Sequence, residues 1–301
     1  RGTIGGSPGE TLSPLDVVKY AAAFGEILKT KFKNPKVVIG RDARPSGPII
    51  GALLSNTLIA QGIHVIDTGL STTPTVEMAV VAEQAQGGIV ITASHNPIGW
   101  NALKLLNDAG EFISAELGAE VLKRADVGDY TFAESKNIGK IISSEVTIMD
   151  HIDKILQLTL VDVPSIKAKK FKVILDAVNS TGGIAIPLLL EKLGVEVVQI
   201  NGEPTGLFAH NPEPLPENIG QICKEIENGK FDVGIVVDPD VDRLALVSEN
   251  GEPFGEEYTL VAVSDYVLSK TPGNTVSNLS STQGLKVVTE KRKGISHPAA
   301  V

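Results

Sequence analysis

Two stretches of this chain run through the same order of elements, and that repetition limits the folds open to it. Lys36-Val-Val-Ile-Gly40 leads through a helical pattern, Pro48 to Gln61, to Gly62-Ile-His-Val-Ile66. Lys172-Val-Ile-Leu-Asp176 leads through a helical pattern, Gly183 to Leu193, to Gly194-Val-Glu-Val-Val198. A third copy starts at Asn274-Thr-Val-Ser-Asn278 and passes through a helical pattern, Ser281 to Lys291, to Gly294. Each copy reads strand, polar loop, helix and glycine stop, the glycine fitting a left-handed helix end. Units of this kind build parallel sheets with right-handed crossovers. The expected fold class is therefore α/β, with tandem related domains and mixed, mostly parallel sheets.

The chain has 301 residues and is 42% hydrophobic, enough for two full domains and part of a third. Residues 126–144 are weakly patterned and polar, and Val146 to Leu160 then reads as a helix. The predicted domains are 1–145, 146–255 and 256–301. After Gly294 only Ile-Ser-His-Pro-Ala-Ala-Val follows, and Pro298 argues against a second strand there. The third domain is expected to hold its first strand and helix alone.

The most chemically informative run is Val236-Val-Asp-Pro-Asp-Val-Asp-Arg-Leu-Ala245. An apolar strand pattern, Val233 to Val237, delivers three carboxylates at alternate positions: Asp238, Asp240 and Asp242. Gathered anions repel and call for a cation, and carboxylate oxygens are hard ligands that favour Mg²⁺ or Ca²⁺. Arg243 follows at once and can bind phosphate with its planar fork. Metal and arginine together suggest phosphoryl chemistry. A solvated turn is the plain alternative, opposed by the strand patterns on both sides. An EF-hand would place Glu249 at its last ligand position, but it needs glycine where Arg243 stands. A phosphatase using Asp238 as nucleophile is a more serious competitor.

Gly87-Gly-Ile-Val-Ile-Thr-Ala-Ser-His-Asn-Pro97 has the same shape, a short apolar strand and then a polar loop. Ligands bind beyond the carboxyl ends of strands in open α/β sheets. Ser94 is thereby a candidate nucleophile or phosphate carrier, although Ser-His-Asn alone also suits a hydrogen-bonded turn.

Taken together, Thr92-Ala-Ser-His-Asn-Pro97 and Asp238-Pro-Asp-Val-Asp-Arg243 resemble the phosphoserine loop and the metal loop of the α-D-phosphohexomutases. That family includes phosphoglucomutase, phosphomannomutase and phosphoglucosamine mutase. Gly40-Arg-Asp-Ala-Arg-Pro-Ser-Gly47, Trp100-Asn-Ala-Leu-Lys104 and Phe208-Ala-His-Asn-Pro-Glu-Pro214 resemble three further family segments, in order and spacing. The resemblance runs over residues 1–293. It implies a reversible mutase acting on a hexose phosphate, in which phosphoserine donates to one end of the sugar and recovers phosphate from the other. Hexose 1,6-bisphosphate would be the intermediate and priming donor.

The resemblance also implies roles. Ser94 would carry the phosphoryl group and complete the coordination of Mg²⁺ held by Asp238, Asp240 and Asp242. Arg243 would neutralise a phosphate oxygen. Lys104 is a general acid/base candidate, against the reading of a surface lysine, and Arg1 matches the N-terminal motif that also serves that step. His95, grouped with the catalytic residues, could contact substrate or fix the loop; the orienting role is favoured, because in an extended loop a neighbour of the nucleophile points away from it. Arg41 and Arg44 are grouped with the phosphate-binding residues and expected to brace the serine loop. His210 reads as structural. The family's last, phosphate-binding domain and most of the third are missing from this sequence, so weak turnover or none is expected. A non-catalytic remnant is the remaining alternative. The two loops look closer to the phosphoglucosamine/phosphomannose branch than to the large phosphoglucomutases.

Net charge is −9 with a pI near 5.1, which argues against nucleic acid and anionic membrane as partners. No apolar run reaches the length of a membrane span, and no secretory signal is visible, although the first residue already lies inside a motif. The single Cys223 excludes an internal disulfide, suits a reducing cytoplasm, and sits in an amphipathic stretch as a core thiol.

Overall fold

The computed structural model describes residues 1–7, 10–144, 147–279 and 281–299. In the first unit the chain forms β1 (Gly2–Thr3), α1 (Pro14–Lys31), β2 (Lys36–Arg41), α2 (Gly47–Ala60), β3 (His64–Leu70) and α3 (Thr73–Ala82). It continues with β4 (Gly87–Ile91), β5 (Trp100–Asn101), β6 (Leu103–Leu106), α4 (Ala115–Val127) and β7 (Ile141–Ser143). Five of these strands make one sheet in the order β6-β4-β2-β3-β7, parallel except for β6.

The local chemistry explains the elements. Val37, Val38 and Ile39 on β2 and Ile89, Val90 and Ile91 on β4 are buried from both faces, as central parallel strands require. Ser13 and Asp16 form a capping box on α1, with Pro14 in its first turn. Val17, Ala21, Phe24, Ile27 and Leu28 of that helix enter the main core with Leu54 and Leu58 of α2. The second face of the sheet is covered by Val76, Ala79 and Val80 of α3.

The second unit holds α5 (Thr147–Leu156), α6 (Val163–Lys169), β8 (Lys172–Asp176), α7 (Gly182–Lys192), β9 (Glu196–Ile200), α8 (Gly220–Asn228), β10 (Val233–Val237) and β11 (Leu244–Val247). Its sheet runs β11-β10-β8-β9, again parallel except at β11. The repeat therefore extends further than its first two strands. In sheet order β8 corresponds to β2, β9 to β3, β10 to β4 and antiparallel β11 to antiparallel β6.

The last segment forms α9 (Glu256–Lys270), β12 (Thr275–Asn278), α10 (Gln283–Lys291) and β13 (Ser296–Ala299). Here the sequence expectation is corrected, because Ser296–Ala299 does form a second strand, parallel to β12. Pro298 lies opposite Ser277. A proline removes one donor, a loss that an edge strand tolerates. A second correction is β7, within the stretch read as weakly patterned. Its three residues form an edge strand in which Ile141 and Ile142 stay half exposed, so no alternating signal arises. The helix expected from Val146 to Leu160 spans Thr147–Leu156, and the predicted division at residue 145 lies outside the described residues. Cys223 on α8 packs partly buried against the second unit's core.

Candidate active site

The site forms where the loop after β4 meets the loop after β10, the corresponding positions of the two units. Each loop follows a buried apolar strand and curls through a residue at positive φ, Ser94 (49°) in one and Val241 (62°) in the other. A non-glycine residue, and a β-branched one above all, adopts this conformation only when its surroundings hold it there. In the first loop the Ser94 N–H donates to Thr92 Oγ1 at 2.9 Å, and Thr92 Oγ1 donates to Asp42 Oδ2 at 2.8 Å. In the second, Asp238 Oδ1 accepts the N–H groups of Asp242 and Arg243, both at 3.1 Å.

Ser94 Oγ donates to Asp238 Oδ2 at 2.7 Å and lies 3.5 Å from Asp242 Oδ1. The candidate nucleophile of one unit thus touches the carboxylates of the other. Asp238, Asp240 and Asp242 each offer an oxygen within 4.8 Å of the others. Asp238 and Asp240 are fully buried. Burial, together with the charges of Asp240 and Asp242, pushes the Asp238 carboxyl well above the usual range. Asp240 Oδ1 is buried with no hydrogen-bond partner among the described residues. An oxygen-only donor set, mutual repulsion and one orphaned oxygen fit a hard divalent cation.

Lys104 supplies the positive charge near this group. Located on β6, it donates from Nζ to Asp240 Oδ2 and to Asp242 Oδ2, both at 2.7 Å. Burial pulls its pKa down, but the charge of Asp240 and hydrogen bonds to both carboxylates outweigh that and raise it. The surface-lysine reading is excluded by this geometry.

Arg44 is fully buried, and its guanidinium uses all five N–H groups. Nε donates to Asp42 Oδ2 at 2.9 Å, Nη1 to the carbonyls of Pro97 (2.6 Å) and Trp100 (3.1 Å), and Nη2 to those of Ser94 and Asn96. Phe208 of the second unit covers its face at 4.9 Å. The phosphate-binding expectation is therefore corrected for Arg44: no donor is left for a ligand, and the side chain braces the serine loop. Arg41 departs from expectation in the other direction. It donates to the Asp42 carbonyl at 3.3 Å rather than to the serine loop.

His95 also needs correcting. Its Nδ1 lies 3.3 Å from Ser94 Oγ, because the positive φ at Ser94 turns the loop instead of extending it. Burial and the nearby Arg243 charge lower its pKa, while Glu213 opposes them. Arg243 pairs with Glu213 at 2.7 Å, not with the aspartates. Arg1 is exposed, and the adjoining Gly2–Thr3 pairs with Trp100–Asn101 just beyond the serine loop. Its charge contributes to the lowered pKa of His95. His210 Nε2 meets the buried Asp176 Oδ2 at 3.1 Å and pins the loop that presents Glu213.

Sequence reasoning gave no role to Glu213 or to Thr73. Glu213 joins Arg243 to the vicinity of His95, 3.8 Å away. Thr73 donates its N–H to the Asp240 carbonyl at 2.8 Å and its hydroxyl to Asp240 Oδ2. The available signal was Ser71-Thr-Thr-Pro74, a helix start at the carboxyl end of a strand.

Residues 1–131 match the family described as phosphoglucomutase/phosphomannomutase, alpha/beta/alpha domain I, and residues 149–251 match its domain II. A phosphoglucomutase/phosphomannomutase of Thermococcus kodakarensis is 35% identical over 297 residues, covering 97% of this chain and 64% of its own length. A phosphoglucosamine/phosphogalactosamine mutase of Sulfurisphaera tokodaii is 32% identical over 80% of this chain and 52% of its own. The crystal structure of a phosphoglucomutase/phosphomannomutase family protein from Burkholderia thailandensis superposes with a TM-score of 0.82 at 25% identity, over 98% of this chain and 64% of that one. This chain thus spans under two thirds of the length of these relatives.

Proposed function

The chain belongs to the phosphoglucomutase/phosphomannomutase family, and from that premise we propose that it carries the phosphoryl-transfer centre of a mutase interconverting hexose 1-phosphate and hexose 6-phosphate. The substrate is glucosamine, mannose or glucose phosphate. Ser94 is the phosphoryl carrier, and Asp238, Asp240 and Asp242 hold Mg²⁺. The observation that carries this reading is the 2.7 Å hydrogen bond from Ser94 Oγ to Asp238, which joins the nucleophile to the three-carboxylate group.

When bound, Mg²⁺ supplies charge stabilisation to the oxygens of the transferring phosphoryl group. The chain's own residues do the rest. The bond between Ser94 Oγ and phosphorus breaks as the bond from a sugar hydroxyl oxygen to phosphorus forms. The sugar hydroxyl loses a proton and Ser94 Oγ regains one. His95, 3.3 Å from Oγ and biased towards its neutral form, is the group within reach of the Ser94 proton, and Lys104, held on Asp240 and Asp242, is the acid/base candidate for the sugar hydroxyl. Arg44 and Thr92 hold the serine loop in its turned conformation, and Arg243 and Arg1 offer positive charge to the sugar phosphate. The reverse step then runs at the other end of the bisphosphorylated sugar: Ser94 Oγ gives up its proton and bonds to that phosphorus, the bond from phosphorus to the sugar oxygen breaks, and that oxygen takes up a proton as a hydroxyl.

Domain divisions near residues 145 and 256 accord with this reading, as does a third, sugar-recognising segment from residue 256 onward. We expect these 301 residues to retain the phosphoryl chemistry while turning over weakly or not at all, because the relatives are longer. Hexose 1,6-bisphosphate is the priming donor. A cytoplasmic location fits the lone thiol and the absence of any described helix long and apolar enough to cross a membrane. The net charge of −9 argues against nucleic acid and anionic membrane as partners.

Intact mass and phosphopeptide mapping after incubation with glucose 1,6-bisphosphate and Mg²⁺ test the proposal. One phosphate on Ser94, absent from Ser94→Ala, is the expected result. Phosphate on Asp238 would favour a Mg²⁺-dependent sugar phosphatase, and none at all a non-catalytic remnant. Mutase turnover by a preparation proven to hold only these residues would overturn the expectation of weak activity.

A further inference from the structure

Asp240 is held from outside its own unit. Thr73 is the first residue of α3, in the first unit, and it is 1% exposed. The opening N–H groups of a helix have no partner within it. The Thr73 N–H finds one in the Asp240 carbonyl, at 2.8 Å. Its hydroxyl donates to Oδ2 of the same residue. Lys104 Nζ donates to that same Oδ2 at 2.7 Å. Oδ2 therefore receives two donors, while Oδ1 is buried and has none among the described residues.

We infer that Thr73 is a positioning residue for the metal centre: by fixing both the backbone and Oδ2 of Asp240, it leaves Oδ1 as the oxygen turned to the cation. Without the hydroxyl, Oδ2 keeps only the Lys104 donor, and the carboxylate plane can rotate so that Oδ1 no longer faces the cation. The ligand set is thus completed across the two units, with a helix of the first unit orienting a ligand carried by the second. The inference rests on the reading of the three aspartates as a metal site. It adds to that reading a residue outside the metal loop and the orientation of the Asp240 carboxylate.

The test is Mn²⁺ binding to the full chain, followed by EPR, for the wild type, Thr73→Val, Thr73→Ser and Asp240→Asn. Mn²⁺ shares the preference of Mg²⁺ for oxygen ligands. Outer-shell partners of metal ligands usually contribute roughly ten- to hundred-fold in affinity. Thr73→Val is expected to weaken Mn²⁺ binding by about ten-fold or more, and Thr73→Ser, which keeps the hydroxyl, to stay within about two-fold of wild type. Thermal midpoints in EDTA separate a merely structural role, which would lower the midpoint of Thr73→Val without changing its affinity for Mn²⁺. Wild-type affinity in Thr73→Val, or equal weakening in Thr73→Ser, would overturn the inference. If Thr73→Val does not fold, Thr73→Ala against Thr73→Ser makes the same contrast. Failure of the wild type to bind Mn²⁺, or full binding by Asp240→Asn, would remove the metal-site reading and the inference with it.

Discussion

Arg44 carries its charge into the interior, and its five donors tie Asp42 to four carbonyls of the serine loop. Burial raises the Asp42 carboxyl to about 6, and the Arg44 charge limits that rise. Arg44→Leu would strand a buried anion and four carbonyls, so the unfolding free energy is expected to fall by about 3–5 kcal/mol in urea titration. Arg44→Lys should recover only part of that loss, since an ammonium cannot serve five acceptors in a plane. His210 yields a pH prediction. Burial lowers its pKa, but the hydrogen bond and charge of Asp176 outweigh burial and raise it. Its stabilising contribution is therefore complete below the unfolded value of 6.5 and disappears as pH rises through the higher folded value. The urea midpoint of wild type should exceed that of His210→Gln most at about pH 6 and converge with it towards about pH 9. A constant difference across that range would count against the ion pair. At this scale the sequence revealed the chemistry but not the surroundings. Ser94 and Asp238 were legible because apolar strand patterns lead into them. Thr73 and Glu213 are ordinary residues until the fold brings them to the site, and an arginine in a polar loop does not read as buried.

The serine loop and the aspartate loop occupy corresponding places, after β4 in one sheet and after β10 in the other. The β-α-β repeat was readable because Gly62 and Gly194 end their helices in both copies at positive φ. Antiparallel β11 was legible as the apolar run after Arg243, its counterpart β6 was not, and β7 and β13 escaped notice as edge strands of three and four residues. No local pattern records how the elements of one unit lean on the other. Gly206 shows what that contact requires. At φ 72° it approaches the loop after β2 so closely that an added Cβ would lie 1.9 Å from the Ala43 carbonyl oxygen. Nearby, Ser180 Oγ accepts the Ala43 N–H at 3.2 Å and donates to the Pro239 carbonyl at 2.7 Å. Gly206→Ala must push the loops apart and is expected to lower the unfolding free energy by about 1–3 kcal/mol. Wild-type stability in that variant would mean the two loops separate without penalty.

Across the whole molecule, three carboxylates face one lysine, a local excess of negative charge that the fold has to bear. A cation that binds only the folded chain stabilises it by mass action, about 2.7 kcal/mol at a hundred times its Kd. Mg²⁺ should accordingly raise the thermal midpoint of the wild type and leave that of Asp238→Asn nearly unchanged in a calorimetric scan. The 2.7 Å contact between Ser94 and Asp238 links atoms mounted on separate sheets. It resembles the gap between the jaws of a caliper, with the hydrogen bonds of Ala43, Ser180 and Pro239 tying the same two units together nearby. The setting of those jaws matters, because a misplacement of about 1 Å is enough to slow a reaction roughly a hundred-fold.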